Sequence, residues 1–196
     1  MDTKLTGKTR IESDLIGARE IPAEALYGVQ TLRGIENFSI SKFRLSEYPL
    51  FIKGLAITKM AAAMANFELG LLTVEQKDAI IAACGEILDG KHHDQFPVDM
   101  IQGGAGTTTN MNANEVIANR ALELMGHERG EYQYCSPNDH VNCSQSTNDA
   151  YPTAIHIGMY FKHLQLLPHL EELIASFRKK GEEFSQIIKM GRTQLE

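Results

Sequence analysis

Between Asn148 and Phe177 the apolar residues keep a helical period for roughly thirty positions, and this pattern limits the possible folds more than any other. Tyr151, Ile155, Met159, Leu164, Leu167, Leu170, Leu173, Ile174 and Phe177 recur at mostly three- and four-residue steps. A helix of that length cannot bury its apolar stripe alone, so it requires long helical partners, as in a bundle. Pro152 suits a first helical turn. Pro168 falls in mid-pattern, where the missing N–H and the ring predict a kink, or one helix ending and a second starting with Pro168 near its first position. After Lys180-Gly181 the text resumes with Phe184, Ile187 and Ile188 and stops at Gly191-Arg192-Thr193-Gln194-Leu195-Glu196. Bundle partners are not evident in the remaining chain, so it is expected to be a piece of a longer protein.

Upstream, the first forty or so residues alternate charged and apolar positions around Gly17, Pro22, Gly28 and Gly34, which predicts extended or irregular chain with little helix before Tyr27. Pro49 then opens a helix over Leu50 to Leu69, with Gly70 as its stop. Thr73 and Gln76 form a capping box for the next helix, which ends around Asp89-Gly90. A polar connector from Lys91 to Pro97 follows. A further helix is expected from about Asn112 to Met125 with Gly126 as its stop, then an irregular stretch from Gly130 to Asn142. The fold class is therefore mainly α, with an N-terminal domain over residues 1–141 and the beginning of a central helical-bundle domain over 142–196.

A length of 196 residues with 43% hydrophobic content suffices for one domain, or for one domain and part of another. The net charge of −6 without a dense Lys/Arg run argues against nucleic acid or an anionic membrane surface as a partner. The stretch from Met1 to Ile11 is polar, and no window approaches the roughly 20 apolar residues of a membrane span. Cys84, Cys135 and Cys143 are an odd set without C-x-x-C spacing, which fits reduced thiols and a cytoplasmic location.

Two turns carry the chemistry. Cys143-Ser144-Gln145-Ser146-Thr147-Asn148-Asp149 places hydroxyls, an amide and a carboxylate just before the long helix, where free backbone N–H groups and the positive dipole end attract an anion. Gly103-Gly104-Ala105-Gly106-Thr107-Thr108-Thr109-Asn110 combines glycines that let backbone approach a ligand with three hydroxyls, and also runs into a helix. Together they point to a small anionic substrate. Each has a plainer reading: Ser146-Thr147-Asn148 as a simple helix cap, and the glycines as a loop lacking the spacing of a nucleotide site. His92-His93-Asp94 has the composition of a metal cluster, but adjacent histidines diverge and no further ligand pair has suitable spacing, so no metal site is assigned. His127 and His140 are single histidines and read as surface or core residues.

Four segments resemble the aspartase/fumarase superfamily: Glu12 to Phe38, Asp94 to Asn119, Gly130 to Thr153 and the Lys-Met-Gly-Arg-Thr-Gln-Leu of 189–195. The resemblance implies the fold of that superfamily and a carbon–nitrogen lyase that deaminates L-aspartate reversibly to fumarate and ammonia by anti elimination. It implies a homotetramer whose active sites take segments from three subunits, the Thr107 loop, the Ser146 turn and a mobile signature loop among them. That loop, with its G-S-S-x-M-P-x-K-x-N-P pattern and the serine base, has no counterpart here, so no catalytic residue is assigned and the 196 residues alone are expected to be inactive. By the same resemblance Thr107, Ser146 and Thr147 would hold the β-carboxylate as it becomes an aci-carboxylate, Asn148 the leaving amino group and Thr193 the α-carboxylate. No cofactor is required, and activation by Mg2+ is implied as a family trait. Gln194 stands where the hydrating members have histidine, and its carbonyl accepts from an ammonium in any protonation state, which favours aspartate over malate. Asn138 and Asp139 match a secondary dicarboxylate segment of the hydrating members, but Ser136 replaces a histidine there, and no second site is assigned. Two other readings stay open: release of water from L-malate, and a non-catalytic assembly module.

Overall fold

The computed structural model describes residues 7–191 and residue 194, which fall into a first unit running to Met159 and a second from Tyr160. The first described element is a hairpin in which β1 (Thr9–Asp14) pairs antiparallel with β2 (Gly17–Pro22). Its turn is closed by Asp14 Oδ1, which accepts from the N–H groups of Ile16 (2.9 Å) and Gly17 (3.2 Å). The extended chain expected before Tyr27 is thus ordered as a two-stranded sheet.

A short helix, α1 (Val29–Asn37), follows where irregular chain is expected. Gly28 offers it no side-chain cap. Two distant carboxylates do so instead. Glu115 accepts from the N–H groups of Gly28 (2.8 Å), Gln30 (2.8 Å) and Thr31 (3.0 Å), and Glu12 from that of Val29 (3.0 Å). The otherwise orphaned donors of the first turn are therefore satisfied by charge that also complements the helix dipole.

α2 (Pro49–Glu68) and α3 (Val74–Leu88) form as expected, with Pro49 at the start of α2 and the reciprocal Thr73–Gln76 bonds at the start of α3. Gly70 and Gly90 take positive φ just beyond the two helix ends. In the connector His92 and His93 diverge: His92 Nε2 lies 2.7 Å from Glu86 Oε2, and His93 Nε2 lies 2.9 Å from the Ile87 carbonyl. α4 (Thr107–Leu124) begins five residues before the expected Asn112, because Gly106 takes a left-handed φ of 86° and releases the Thr-Thr-Thr-Asn run directly into helix. Periodicity could not show this start, since Thr109, Asn110, Asn112, Asn114, Glu115 and Asn119 are buried on α4 beside Val116, Ile117 and Leu122. The expected irregular stretch contains a π-helical turn at Pro137–Val141, capped by Ser136.

Ile52 and Leu55 of α2, Ile80 and Ile87 of α3 and Val116, Ile117 and Leu122 of α4 form one core with Phe96 and Val98. By length and composition α2 is apolar enough to cross a membrane, contrary to the expectation that no window is. Its Ile52, Leu55, Ala56 and Ala63 are buried in this protein together with the polar Lys59 and Asn66, while Ala61, Met64 and Ala65 are exposed.

α5 (Thr147–Glu183) is continuous for 37 residues, so of the two outcomes expected at Pro168, a kink or a helix ending and restarting, the second does not occur. Pro168 removes a single N–H, and the carbonyl it would have served belongs to the exposed Leu164, which leaves that oxygen in water rather than orphaned. Within the first unit α5 meets α2 at glycines. A Cβ on Gly54 would overlap the Ala154 carbonyl, and one on Gly158 would press on the Leu50 and Phe51 backbone. In the second unit Leu164, Leu167, Leu170, Leu173, Ile174 and Phe177 are all exposed.

Candidate active site

The glycine-rich loop owes its course to two contacts that a side chain would forbid. A Cβ on Gly103 would crowd the Phe38 ring, and one on Gly106 would overlap the ring of Tyr151. The start of α4 therefore lies directly on the second turn of α5, with Tyr151 held edge-on to Phe51 at a centroid distance of 5.5 Å. Asn110, one turn into α4 and 1% exposed, completes the junction: its Nδ2 donates to Thr147 Oγ1 (3.1 Å) and to Asn142 Oδ1 (3.1 Å). One chain thus brings the Thr107 and Ser146 helix entrances side by side.

Their hydroxyls are arranged for donation outward. Thr147 Oγ1 accepts from Asn110, so its own proton is free for a ligand. Ser146 caps α5, its Oγ accepting from the Asn148 N–H at 3.2 Å and its carbonyl from the N–H groups of Asp149 and Ala150. Thr107, Ser146 and Asn148 are exposed, and two helix N-termini add their positive ends at the same place. Thr107 also lines a cavity of about 740 Å3 together with Arg33, Phe38, Thr108 and Asn138, whereas Ser146, Thr147 and Asn148 do not. Within that cavity Arg33 is committed to Asp14 through two contacts of 2.8 Å, which holds the Asp14 carboxyl down to about 2. Gln194 lies in an exposed bend of the second unit, and Thr193 lies outside the described residues.

Beneath the Ser146 turn is a layer the sequence reading missed. Ser144 takes a left-handed φ of 56°, and the chain around it is fastened from below by amides: Asn66 Nδ2 donates to the Cys143 carbonyl (2.8 Å), Asn142 Nδ2 to the Gln145 carbonyl (3.1 Å), and Gln145 Nε2 to the carbonyls of Val141 (2.9 Å) and Cys143 (3.1 Å). At its centre is Lys59, fully buried, with Nζ donating to Asn142 Oδ1 (2.9 Å) and Gln145 Oε1 (3.0 Å). Burial without a carboxylate pulls its pKa down to about 7. A signal existed, for Lys59 shares the buried face of α2 with Ile52, Ala56 and Ala63, a position where a lysine needs a reason.

Nearby titratable groups are held for packing. His140 Nδ1 accepts from the Ser136 N–H at 2.7 Å, and burial lowers its pKa. Ser136 Oγ lies 2.9 Å from Asp139 Oδ2 and caps the π-helical turn, which leaves Asn138 and Asp139 exposed.

The chain is mainly helical and sets two donor-rich helix entrances side by side through Asn110 and Gly106. The family follows from comparison: residues 17–196 match the model described as Lyase, and the chain belongs to that family. It is 59% identical over 187 residues to the aspartate ammonia-lyase of Pseudomonas canavaninivorans, covering 95% of this chain and 40% of that protein. Among solved structures it superposes on a fumarate lyase:delta crystallin from Brucella melitensis with a TM-score of 0.91 and 53% identity, over 96% of this chain and 41% of that one. It superposes on a class II fumarase from Schistosoma mansoni with a TM-score of 0.87 and 38% identity, over 96% and 40%. The chain thus spans about 40% of the length of the curated relatives it matches.

Proposed function

We propose that this chain is the N-terminal portion of a carbon–nitrogen lyase that converts L-aspartate reversibly to fumarate and ammonia. The observation that carries the reading is the junction of the two helix entrances through Asn110 and Gly106, which concentrates hydroxyl donors and two dipole ends on one spot. The higher identity to an aspartate ammonia-lyase (59%) than to a fumarase (38%) supports ammonia over water as the leaving group.

The chemistry that such a corner serves is loss of a weakly acidic C3 proton. Its removal is eased when the adjacent carboxylate takes up charge as an aci-carboxylate, which preorganised donors stabilise. In this reading Thr147, Ser146 and Thr107 hold that carboxylate, Asn148 holds the amino group, and Thr193 and Gln194 meet the α-carboxylate and the ammonium. The reaction needs no cofactor in this reading. The base comes from a segment beyond these 196 residues. The division into an N-terminal domain to residue 141 and a bundle domain from 142, assembly as a homotetramer with composite sites and a cytoplasmic location belong to the same reading.

The test is the ultraviolet absorbance of fumarate formed by the full-length protein from L-aspartate and, separately, from L-malate. Fumarate from aspartate alone is the expected result. Fumarate from malate alone makes the protein a hydratase, and none from either overturns the catalytic reading.

A further inference from the structure

Lys59 has no part in the roles given above, yet it is a fully buried lysine beneath the proposed site. It is a fully buried amine whose hydrogen bonds among the described residues go to neutral amide oxygens, Asn142 Oδ1 (2.9 Å) and Gln145 Oε1 (3.0 Å). No carboxylate lies within ion-pair distance of it among the described residues, an arrangement that costs free energy unless something else supplies the negative charge. The groups that face it are uncharged. From α3 comes Cys84, whose thiol burial pushes up to about 12; from the turn come Asn142 and Gln145; and from α4 comes Asn110, which shares Asn142 Oδ1. Asp149, at the start of α5, is exposed and makes no ion pair with it.

The hydrogen bonds lead from Lys59 to the turn's donors. Asn142 Oδ1 accepts from both Lys59 Nζ and Asn110 Nδ2, and the same Asn110 Nδ2 donates to Thr147 Oγ1. Gln145, the other acceptor, directly precedes Ser146. A charge on Lys59 therefore sits three hydrogen bonds from the Thr147 hydroxyl, in an interior that screens it poorly.

We propose that Lys59 is a positioning residue for substrate: its ammonium is the counter-charge beneath the anion-binding turn, and the site takes up a proton at Lys59 when a dicarboxylate binds. The proposal rests on the reading of the two turns as a dicarboxylate site. A pKa near 7 in the free protein leaves Lys59 partly neutral at physiological pH, and a bound anion would stabilise the charged form. Proton and anion then bind cooperatively, so that substrate affinity falls as pH rises above neutrality.

The experiment is calorimetric titration of the full-length protein with succinate, a non-reacting dicarboxylate, in buffers of different ionisation enthalpy between pH 6 and 9. The parent protein is expected to take up a fraction of a proton per site above pH 7 and almost none at pH 6. Lys59→Met should bind succinate on the order of tenfold more weakly, the effect of losing one charge at this range, and without that uptake. Lys59→Arg, which stays charged, should recover affinity and still show no uptake. Parental affinity and uptake in Lys59→Met overturn the proposal while leaving the lyase reading intact. Should that variant fail to fold, absence of proton uptake in the parent between pH 7 and 9 overturns it equally. Failure of succinate to bind the parent overturns both readings together.

Discussion

Asn110 does at one position what the proposed site requires of two helices. By donating to Thr147 Oγ1 it turns the threonine proton outward, and by donating to Asn142 Oδ1 it fixes the turn that carries Ser146. Replacing Thr147 with valine keeps shape and removes the donor, so kcat for fumarate formation by the full-length protein should fall on the order of a hundredfold. A loss of less than threefold in a spectrophotometric assay would count against its role. Lys59 makes a prediction about stability rather than rate. Its folded pKa of about 7 lies below the ordinary 10.5, so the folded state loses the proton first and stability rises with pH across that window; below 7 the full cost of burying the ammonium is present. Urea unfolding at several pH values should show Lys59→Met to be flatter than the parent between pH 7 and 10.5. That Thr107, Ser146, Thr147 and Asn148 stand at two helix entrances was readable from the sequence, because hydroxyls ahead of a helix announce themselves locally. Asn110 and Asn142 were not, because their value lies in contacts between segments tens of residues apart, and Lys59 left only the mark of a lysine among the apolar positions of α2.

Among the elements, α1 shows most clearly why a helix can escape a reading of local signals. Its cap consists of Glu12 and Glu115, one on β1 and the other on α4, while Gly28 contributes nothing. Glu115→Ala would leave the buried N–H groups of Gly28 and Thr31 and the half-buried one of Gln30 without their acceptor and should destabilise the protein by about 3 kcal/mol, measurable by chemical unfolding, with loss of helical ellipticity from α1. By contrast α2 and α3 were readable almost to the residue, since Pro49, Gly70 and the Thr73–Gln76 box are all local devices. α5 was readable as a long helix, but whether Pro168 would divide it was not, because the cost of that proline depends on whether the freed carbonyl reaches water. α3 and α4 are clasped by Glu86, which Arg120 and then His92 hold down to about 2. This lowered pKa contributes stability that is complete above about 4.5 and lost as pH falls toward 2. Glu86→Gln should therefore be less stable than the parent at pH 6, with the gap closing on acidification.

At the level of the whole molecule, the second unit leaves Leu164, Leu167, Leu170, Leu173, Ile174 and Phe177 exposed along one helix, and apolar side chains recurring on a helix in this way mark an interaction surface. The 196-residue polypeptide should therefore associate or aggregate, and a monodisperse monomer by light scattering would contradict this. The need for partners was legible in the sequence from period and length alone. What covers that surface was not, because period and length say that a partner is needed and nothing of its identity.

The contact between α2 and α5 has one more consequence. Gly54 meets the Ala154 carbonyl and Gly158 meets the backbone of Leu50 and Phe51, so main chain rests on main chain, with no rotamer between them to absorb error. Lys59 is one helical turn beyond Gly54, and Thr147 two turns before Ala154, so the spacing between ammonium and hydroxyl is set by atoms that have no other place to go. A ligand arriving there would find its donors already in position. Its binding should carry little ordering entropy, and affinity lost on removing a donor should appear mainly as lost enthalpy.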